Sequence, residues 1–465
     1  MKILLIFPPI SGEERYGKLA KAGSYLPPLG IAYIAAALER GGHRVQIIDG
    51  STEPVTVDAI IDRIRRAKPD LVGISVQTPM YRRAVECARI VKEIDPSIVT
   101  VFGGPHPSAM PWETAREEFV DFVVVGEGEY TMRDLVTTLE NKGNLAKVDG
   151  ILYKDGGEIK MTKPRERIRD LDDLPFPARH LLNSKLSKPT AMQCKNSPAF
   201  SIICGRGCPY KCTFCNCSKV FGRLVTMRSP ENVVAEVSHL IEKYGAKEIM
   251  FWDDTFCINK KFVLKLCSML KPLDITWSAW SRVDTIDKEM LKTMEDAGCW
   301  NVAFGIESGT QKVLDAIKKG ITLEQARNAV KWCRECGIEA RTTWILGLPG
   351  DTWESMMETI QFAIDIRSDY AQFQLLAIYP NTELWGTWQN CGTLLSLDWS
   401  KYTIWHPVFL PQGLTEKELI TAHKVAYKNF YLRPRYWLDR LAKIRSFKDA
   451  KRYVLASKAL LEFLS

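Results

Sequence analysis

Three cysteines spaced Cys-x3-Cys-x2-Cys after an apolar segment constrain this chain more than any other feature of its sequence. They are Cys208, Cys212 and Cys215, and residues 200–203 before them have the composition of a buried strand. A loop with this spacing lets three thiolates converge, and thiolates are the ligands of iron–sulfur clusters. Three protein ligands leave one iron of a [4Fe–4S] cluster with an open position, which is typical of a catalytic site.

A zinc site and three buried core cysteines are the alternatives for this motif. Zinc usually requires a second Cys or His pair at a separate position. The other close pair in the chain is Cys333 and Cys336, on a predicted helix far along the sequence. Cys204 and Cys217 flank the motif but do not fit its spacing, so we interpret them as structural.

The first 145 residues alternate short apolar segments with amphipathic ones, which predicts an open parallel sheet flanked by helices. Five strands are expected, and a doubly wound sheet of this kind binds ligands at the carboxyl ends of its strands. The predicted strands are residues 2–7, 44–48, 71–76, 99–102 and 122–125.

A second alternation of strand and helix begins near residue 199 and ends near residue 380. Its six predicted parallel strands fit a partial (β/α)6 barrel, with chemistry at the carboxyl ends of the strands. Between the two alternations lie a predicted hairpin and a proline-bearing linker. We therefore divide the chain into a sheet domain, a hairpin and linker, a barrel, and a basic, mostly helical extension, which are residues 1–145, 146–195, 196–385 and 386–465.

The cysteine motif, with Phe214 directly before its third cysteine, resembles the signature of the radical S-adenosylmethionine superfamily. The barrel pattern that follows is similar too. The N-terminal segment resembles the Rossmann-like cobalamin-binding domain of the cobalamin-dependent branch. Together the resemblance covers residues 1 to about 385. It implies a [4Fe–4S] cluster on Cys208, Cys212 and Cys215, with S-adenosylmethionine bound to the open iron.

The resemblance also assigns S-adenosylmethionine contacts to segments that end successive predicted strands. An acid at the second strand end is expected near the amino group of the ligand or near the substrate. Arg282 is expected to pair with the methionine carboxylate through its guanidinium fork. Each residue has an ordinary structural alternative, such as a helix cap or a surface charge. The expected contacts are Phe214, Asp253, Asp254, Arg282, Glu307, Ser308 and the segment from Leu346 to Gly350.

The N-terminal domain lacks the DxHxxG loop whose histidine binds cobalt in methionine synthase-type domains. Its segments at strand ends nevertheless resemble those of cobalamin-dependent radical enzymes, many of which also lack that histidine. Small residues there would let a corrin lie against the backbone. Ordinary turn glycines in a domain without a cofactor are the alternative. The expected cobalamin contacts are Ser75, Thr78, Gly103, Gly104, Gly126 and Glu127, whereas His106 is not expected to bind cobalt.

The resemblance implies an enzyme that cleaves S-adenosylmethionine reductively to a 5′-deoxyadenosyl radical. The radical would take hydrogen from an unactivated carbon of a small molecule, lipid, tetrapyrrole or antibiotic precursor, and methylcobalamin would then methylate that carbon. A reductant such as flavodoxin or ferredoxin is implied as a partner. Cyclisation, rearrangement or dehydration by the same radical remains an alternative, as does a non-catalytic electron carrier. The sequence identifies neither the substrate nor the oligomeric state.

The charge of the chain is concentrated at its end. Residues 424–465 hold eleven Lys and Arg against three acids, which equals the net charge of +8 of the whole chain. A helical cap packed on the barrel and a peripheral contact with an anionic membrane both fit this aromatic, basic segment. No RNA-binding module is recognised, so no nucleic-acid partner is expected. The apolar start lacks the features of a signal peptide, which predicts a cytoplasmic protein with reduced thiols.

Overall fold

The computed structural model describes residues 1–17, 23–52, 55–183, 187, 189–190, 192–444 and 453–454. Its first unit is a seven-stranded sheet in the order β2-β1-β3-β4-β5-β6-β7, in which the first five strands run parallel. These strands are β1 (Lys2–Phe7), β2 (Arg44–Asp49), β3 (Leu71–Ser75), β4 (Val99–Gly103), β5 (Phe122–Val124), β6 (Ile151–Asp155) and β7 (Glu158–Met161).

Helices cover both faces of this sheet, as expected for a doubly wound unit. Successive residues of β1 alternate between the two faces, so Leu4 and Ile6 belong to one apolar core and Ile3 and Leu5 to the other. The helices are α1 (Gly12–Tyr16), α2 (Leu29–Arg40), α3 (Val57–Ala67), α4 (Tyr81–Ile94), α5 (Pro105–Ala109), α6 (Pro111–Arg116) and α7 (Gly128–Glu140).

The sheet differs from the five-stranded prediction by the hairpin that follows it. Strands β6 and β7 pair antiparallel with β5 and with each other, so the hairpin extends the sheet instead of standing outside it. Its strand β6 covers the backbone groups along the edge of β5, which would otherwise lack partners.

The second unit contains a six-stranded parallel sheet in the order β15-β14-β13-β12-β11-β8, which confirms the partial barrel. A two-residue pair, β9 with β10, follows its first strand. The strands are β8 (Ala199–Ile202), β9 (Gly205–Arg206), β10 (Thr226–Met227), β11 (Glu248–Phe251), β12 (Thr276–Ser281), β13 (Cys299–Glu307), β14 (Glu339–Leu346) and β15 (Tyr370–Leu375).

The barrel helices begin at side-chain caps that the sequence supplies. Ser229 accepts a hydrogen bond from the Asn232 amide at the start of α9, where Pro230 occupies the first turn. Thr322 and Gln325 form a capping box on α13. The helices are α8 (Cys217–Val220), α9 (Pro230–Tyr244), α10 (Lys260–Leu270), α11 (Lys288–Asp296), α12 (Gln311–Ala316), α13 (Leu323–Glu335) and α14 (Trp353–Asp365).

The C-terminal extension is helical where it packs on the barrel, but it also contains a short antiparallel ribbon. Its described elements are α15 (Glu383–Thr387), β16 (Gly392–Leu394), β17 (Phe409–Pro411), α16 (Glu416–Tyr431) and α17 (Pro434–Leu441). Of the basic segment from residue 424 onward, residues 445–452 and 455–465 lie outside the described part. No helix among the described residues has both the length and the apolarity to cross a membrane.

Candidate active site

The cysteine loop lies between β9 and α8, and backbone hydrogen bonds fix it at both ends. The Cys208 amide donates to the Gly222 carbonyl over 3.2 Å, and the Thr213 amide donates to the Ile317 carbonyl over 3.0 Å. Gly207, directly before the loop, has a φ of +96°, and a Cβ there would lie 2.3 Å from the Leu224 carbonyl oxygen. Glycine is therefore required at this position for the loop to leave the strand as it does.

Cys208, Cys212 and Cys215 are three partly buried free thiols on this loop. Within the described residues, no three His, Cys, Asp or Glu side chains are placed to share one metal ion. A four-iron cluster has no such requirement, because each cysteine binds a different iron. A hydrogen bond with the Cys217 thiol lowers the pKa of Cys208 to about 6, whereas burial raises the pKa of Cys215 to about 12.

Two cations lie close to the loop and offset negative charge on it. The Nη1 atom of Arg282 is 3.9 Å from the Cys212 sulfur, and Lys319 also favours the Cys212 thiolate. Arg282 stacks 3.4 Å above the Tyr210 ring and forms a two-pronged ion pair with Asp284 over 2.9 and 3.0 Å. Its fork is therefore already occupied by a carboxylate of the chain itself.

The two acids after β11 have different surroundings. Asp253 is buried, and its Oδ1 accepts hydrogen bonds from the Cys204 and Gly205 amides over 2.9 and 2.6 Å. Burial raises its pKa to about 7. Asp254 instead borders a large cavity and accepts a hydrogen bond from the Cys217 thiol over 2.8 Å. Of the two acids, Asp254 alone borders the cavity.

The remaining expected S-adenosylmethionine contacts pack within the barrel. Glu307 forms a 2.8 Å ion pair with Lys319, and Ser308 lies 3.3 Å from the Thr359 hydroxyl. Leu346 is fully buried in the core, and Phe214 packs against the apolar cluster around Ile317. None of the four borders the large cavity, so their assignment to the ligand remains a prediction.

The cavity, of about 2550 Å³, lies between the two units and reaches the cysteine loop at Cys215. It exceeds the roughly 300–1,000 Å³ of ordinary small-molecule pockets, so it has room for a macrocycle together with a second molecule. Five of the six residues expected to contact cobalamin border it: Ser75, Gly103, Gly104, Gly126 and Glu127. Four of the five are Gly or Ser, whose small side chains leave a broad cradle, so the site fits cobalamin.

Thr78 does not reach the cavity. It is buried, and its hydroxyl lies 3.2 Å from Nδ1 of His106. His106 is itself fully buried between Tyr81 and Trp399, and burial lowers its pKa to about 4. Its imidazole does not border the cavity.

Several cavity residues were not anticipated from the sequence. Arg206 borders the cavity and pairs with Glu127 and Glu129 across the junction of the two units. Arg341 projects from β14, and Trp405 and His406 come from the C-terminal extension. A charged side chain in the interior of a predicted strand was the available signal for Arg341, whereas the others depend on tertiary contacts.

The fold and the cysteine loop define an iron–sulfur enzyme with a partial barrel and an attached sheet domain. Comparison with known families identifies its two parts: the B12 binding domain matches residues 17–136, and the radical SAM superfamily matches residues 202–363. The chain belongs to the radical S-adenosylmethionine enzymes that carry an N-terminal B12-binding domain. Its cofactors are a [4Fe–4S] cluster, S-adenosylmethionine and cobalamin.

Similar proteins extend over nearly the whole chain. An uncharacterised methyltransferase of Pyrococcus horikoshii is 38% identical over 94% of this chain and 93% of its own length. An anaerobic magnesium-protoporphyrin IX monomethyl ester cyclase of Rubrivivax gelatinosus is 30% identical over 93% of this chain and 78% of its own length. The structure of the radical methyltransferase TsrM from Kitasatospora setae, with cobalamin and a [4Fe–4S] cluster bound, shares the fold. Its TM-score is 0.74 and its identity 16%, over 98% of this chain and 99% of that one.

Proposed function

We propose that this chain is a cobalamin-dependent radical methyltransferase that acts on an unactivated carbon of a small molecule. The observation that carries the proposal is the shared cavity, bordered by Cys215 on one side and by Ser75 and Gly104 on the other. A methyl donor and a radical source must both reach the same carbon, and one common space meets this requirement.

The residues of the cysteine loop hold the redox centre in this proposal. When bound, the cluster and S-adenosylmethionine supply a 5′-deoxyadenosyl radical, and cobalamin supplies the methyl group. Cys208, Cys212 and Cys215 are the proposed cluster ligands. Arg282 and Lys319 offset the negative charge that their thiolates carry.

The acids around the loop have separate proposed tasks. Asp253 holds the Cys204 and Gly205 amides, and so fixes the start of the loop against β11. Asp254, on the cavity side, is the acid that we assign to the amino group of S-adenosylmethionine. The ion pair between Glu307 and Lys319 keeps that lysine near Cys212, so we assign Glu307 a positioning role beside the ligand.

Anaerobic turnover tests the proposal. Purified protein would be reconstituted with iron, sulfide and cobalamin, then incubated with S-adenosylmethionine and reduced flavodoxin or ferredoxin, the proposed class of reductant. We expect bound cobalamin, 5′-deoxyadenosine and, with the substrate, a product one methylene heavier. Activity from protein that binds no cobalamin would contradict the proposal.

Single cysteine variants provide the matched control for this experiment. Cys208→Ala should abolish cluster absorbance and formation of 5′-deoxyadenosine, because two remaining thiolates do not hold the cluster. Cys391→Ala removes a partly buried thiol far along the chain from the loop and should retain both signals. Equal loss in the two variants would indicate general damage to the fold rather than loss of a ligand.

Radical ring formation is the second candidate function. It is favoured by the 30% identity to a protein described as a magnesium-protoporphyrin monomethyl ester cyclase. The two candidates differ in the mass of the product. A gain of one methylene supports methylation, whereas loss of hydrogen or water supports cyclisation or dehydration.

A further inference from the structure

Arg341 is a buried cation inside the barrel. It is the third residue of β14, and strand alternation places Arg341, Thr343 and Ile345 on the face opposite the core residue Trp344. The Arg341 guanidinium lies 4.3 Å from the centre of the Trp280 ring, and the residue is only 6% exposed. Arg341 borders both the large cavity and a small neighbouring cavity.

No acidic side chain of the described chain forms an ion pair with Arg341, and its Nε atom has no hydrogen-bond partner there. Burial lowers its pKa to about 10, and only the neighbouring Tyr431 and Tyr370 act in the opposite direction. The other buried arginines at the cavity differ in this respect. Arg206 pairs with Glu127 and Glu129, and Arg440 pairs with Asp369.

A second donor without a partner lies beside Arg341. Asn301 is 2% exposed, and its side-chain amide nitrogen has no acceptor among the described residues. It borders the same small cavity, whose volume of about 10 Å³ is close to that of one water site. A water molecule there would satisfy hydrogen bonds, but it would leave the charge of Arg341 without a counterion.

Buried charges in proteins are paired, so an unpaired arginine that borders a ligand cavity indicates a ligand of opposite charge. We propose that Arg341 binds a carboxylate or phosphate group of the substrate. The inference rests on the proposed function and gives it a substrate class: a small molecule with an acidic group held at the barrel wall.

The cofactors do not account for this site. Arg341 lies five residues before the end of β14, which is about 17 Å along the strand at ~3.3 Å per residue. The methionine carboxylate is expected at the carboxyl-terminal rim, next to the cysteine loop. The residues expected to contact cobalamin all belong to the other unit, such as Gly104 and Gly126.

Matched ligands that differ only in charge test the inference on the reconstituted protein. The probes are decanoate, decyl phosphate and the uncharged decanamide, with binding measured by anaerobic calorimetry. We expect the wild type to bind at least one acid about tenfold or more tightly than the amide, since hydrogen bonds to charged groups are the strong ones. A preference for decanoate or for decyl phosphate identifies which acid the site takes.

Three variants separate the charge from its surroundings. Arg341→Met should bind acids and amide equally, and Arg341→Lys should keep part of the preference because it keeps the charge without the fork. Arg65→Met removes an exposed cation from α3 and should behave as the wild type. Acids and amide bound equally by the wild type, or an undiminished preference in Arg341→Met, would overturn the inference.

Two further readouts distinguish this inference from its alternatives. Arg341→Met should unfold at the same or a higher urea concentration than the wild type, because the unpaired buried charge is gone; a marked decrease would instead assign Arg341 a structural role. Affinity for S-adenosylmethionine, measured without substrate, should be unchanged in Arg341→Met, and a loss of that affinity would overturn the assignment to the substrate. If the wild type shows the acid preference but no methylated product forms, the proposed function fails while the acid site stands.

Discussion

Replacing Arg206 by methionine removes the cation that joins the two units of the chain. Its Nη1 lies 2.7 Å from Glu127 Oε1 and its Nη2 lies 2.5 Å from Glu129 Oε1. Arg206 belongs to the barrel unit, whereas the two acids stand at the start of α7 in the sheet unit. All three side chains are at least nine-tenths buried, and all three border the large cavity.

The expected cost follows from this geometry. Removing one partner of a buried ion pair destabilises a protein by about 3–5 kcal/mol, because the other charge stays buried without compensation. Arg206 neutralises two carboxylates at once, so we expect a value near the upper end of that range. Replacing the acids as well, in Arg206→Met/Glu127→Gln/Glu129→Gln, should recover much of the loss, since no uncompensated charge then remains.

Urea unfolding followed by tryptophan fluorescence measures this change in the free energy of unfolding, and cobalamin affinity reports on the cavity that Glu127 borders. Arg169→Met is the control, because Arg169 pairs with Glu166 on the surface, where both side chains are at least three-quarters exposed. A surface pair contributes little to stability. A loss in Arg206→Met no larger than in this control, or no recovery in the triple variant, would refute the reasoning.

Two further predictions concern pH dependence and the basic C-terminal segment. Burial raises the pKa of Asp351 from its ordinary value of 3.8 to about 6, so between those pH values the folded state retains a proton that the unfolded state has lost. The free energy of unfolding should therefore fall as pH rises through this window, by about 3 kcal/mol at ~1.4 kcal/mol per pH unit. Asp351→Asn should flatten this part of the urea-unfolding profile, and an unchanged slope in the variant would contradict the prediction. If the C-terminal segment is a helical cap packed on the barrel, the protein should not sediment with anionic phosphatidylserine vesicles at any salt concentration. Binding at low ionic strength that is lost at high ionic strength would favour the membrane alternative.

The sequence predicted the parallel strands well because strands buried on both faces are continuous apolar segments. The cysteine loop was equally predictable, since its ligand spacing lies within eight residues of chain. The pairing of strands that are distant in the sequence was not predictable in the same way. Nothing local in residues 148–161 indicates that the hairpin joins the edge of β5.

In the candidate site, the sequence likewise could not predict which individual side chains reach the cavity. Ser75 ends β3 and Thr78 follows it closely, so both were equally plausible as cavity residues. The structure brings Ser75 to the cavity, whereas Thr78 turns to His106, which arrives from α5. Glu127 borders the cavity, but its carboxylate is held by Arg206 from the other unit. A strand end predicts which edge of the sheet a residue lies on, but tertiary partners decide what its polar atoms bind.

The six strands of the barrel do not close into a full ring, and α16 of the C-terminal extension packs against the open edge. Strand β15 is at the edge of the six-stranded sheet, so alternate backbone groups along its outer side have no strand to pair with. Tyr431 and Tyr427 of α16 cover two of these positions with their hydroxyl groups. Both the amide and the carbonyl of Ala371 bond to Tyr431, over 3.1 and 2.7 Å, and the Phe373 carbonyl accepts from Tyr427 over 3.0 Å. The aromatic residues of the basic segment therefore satisfy the open edge of the barrel, and the same two tyrosines border the cavity. This arrangement supports a helical cap for α16, whereas Leu432, Leu438 and Leu441 of the following segment are exposed, so the sedimentation measurement decides the membrane alternative.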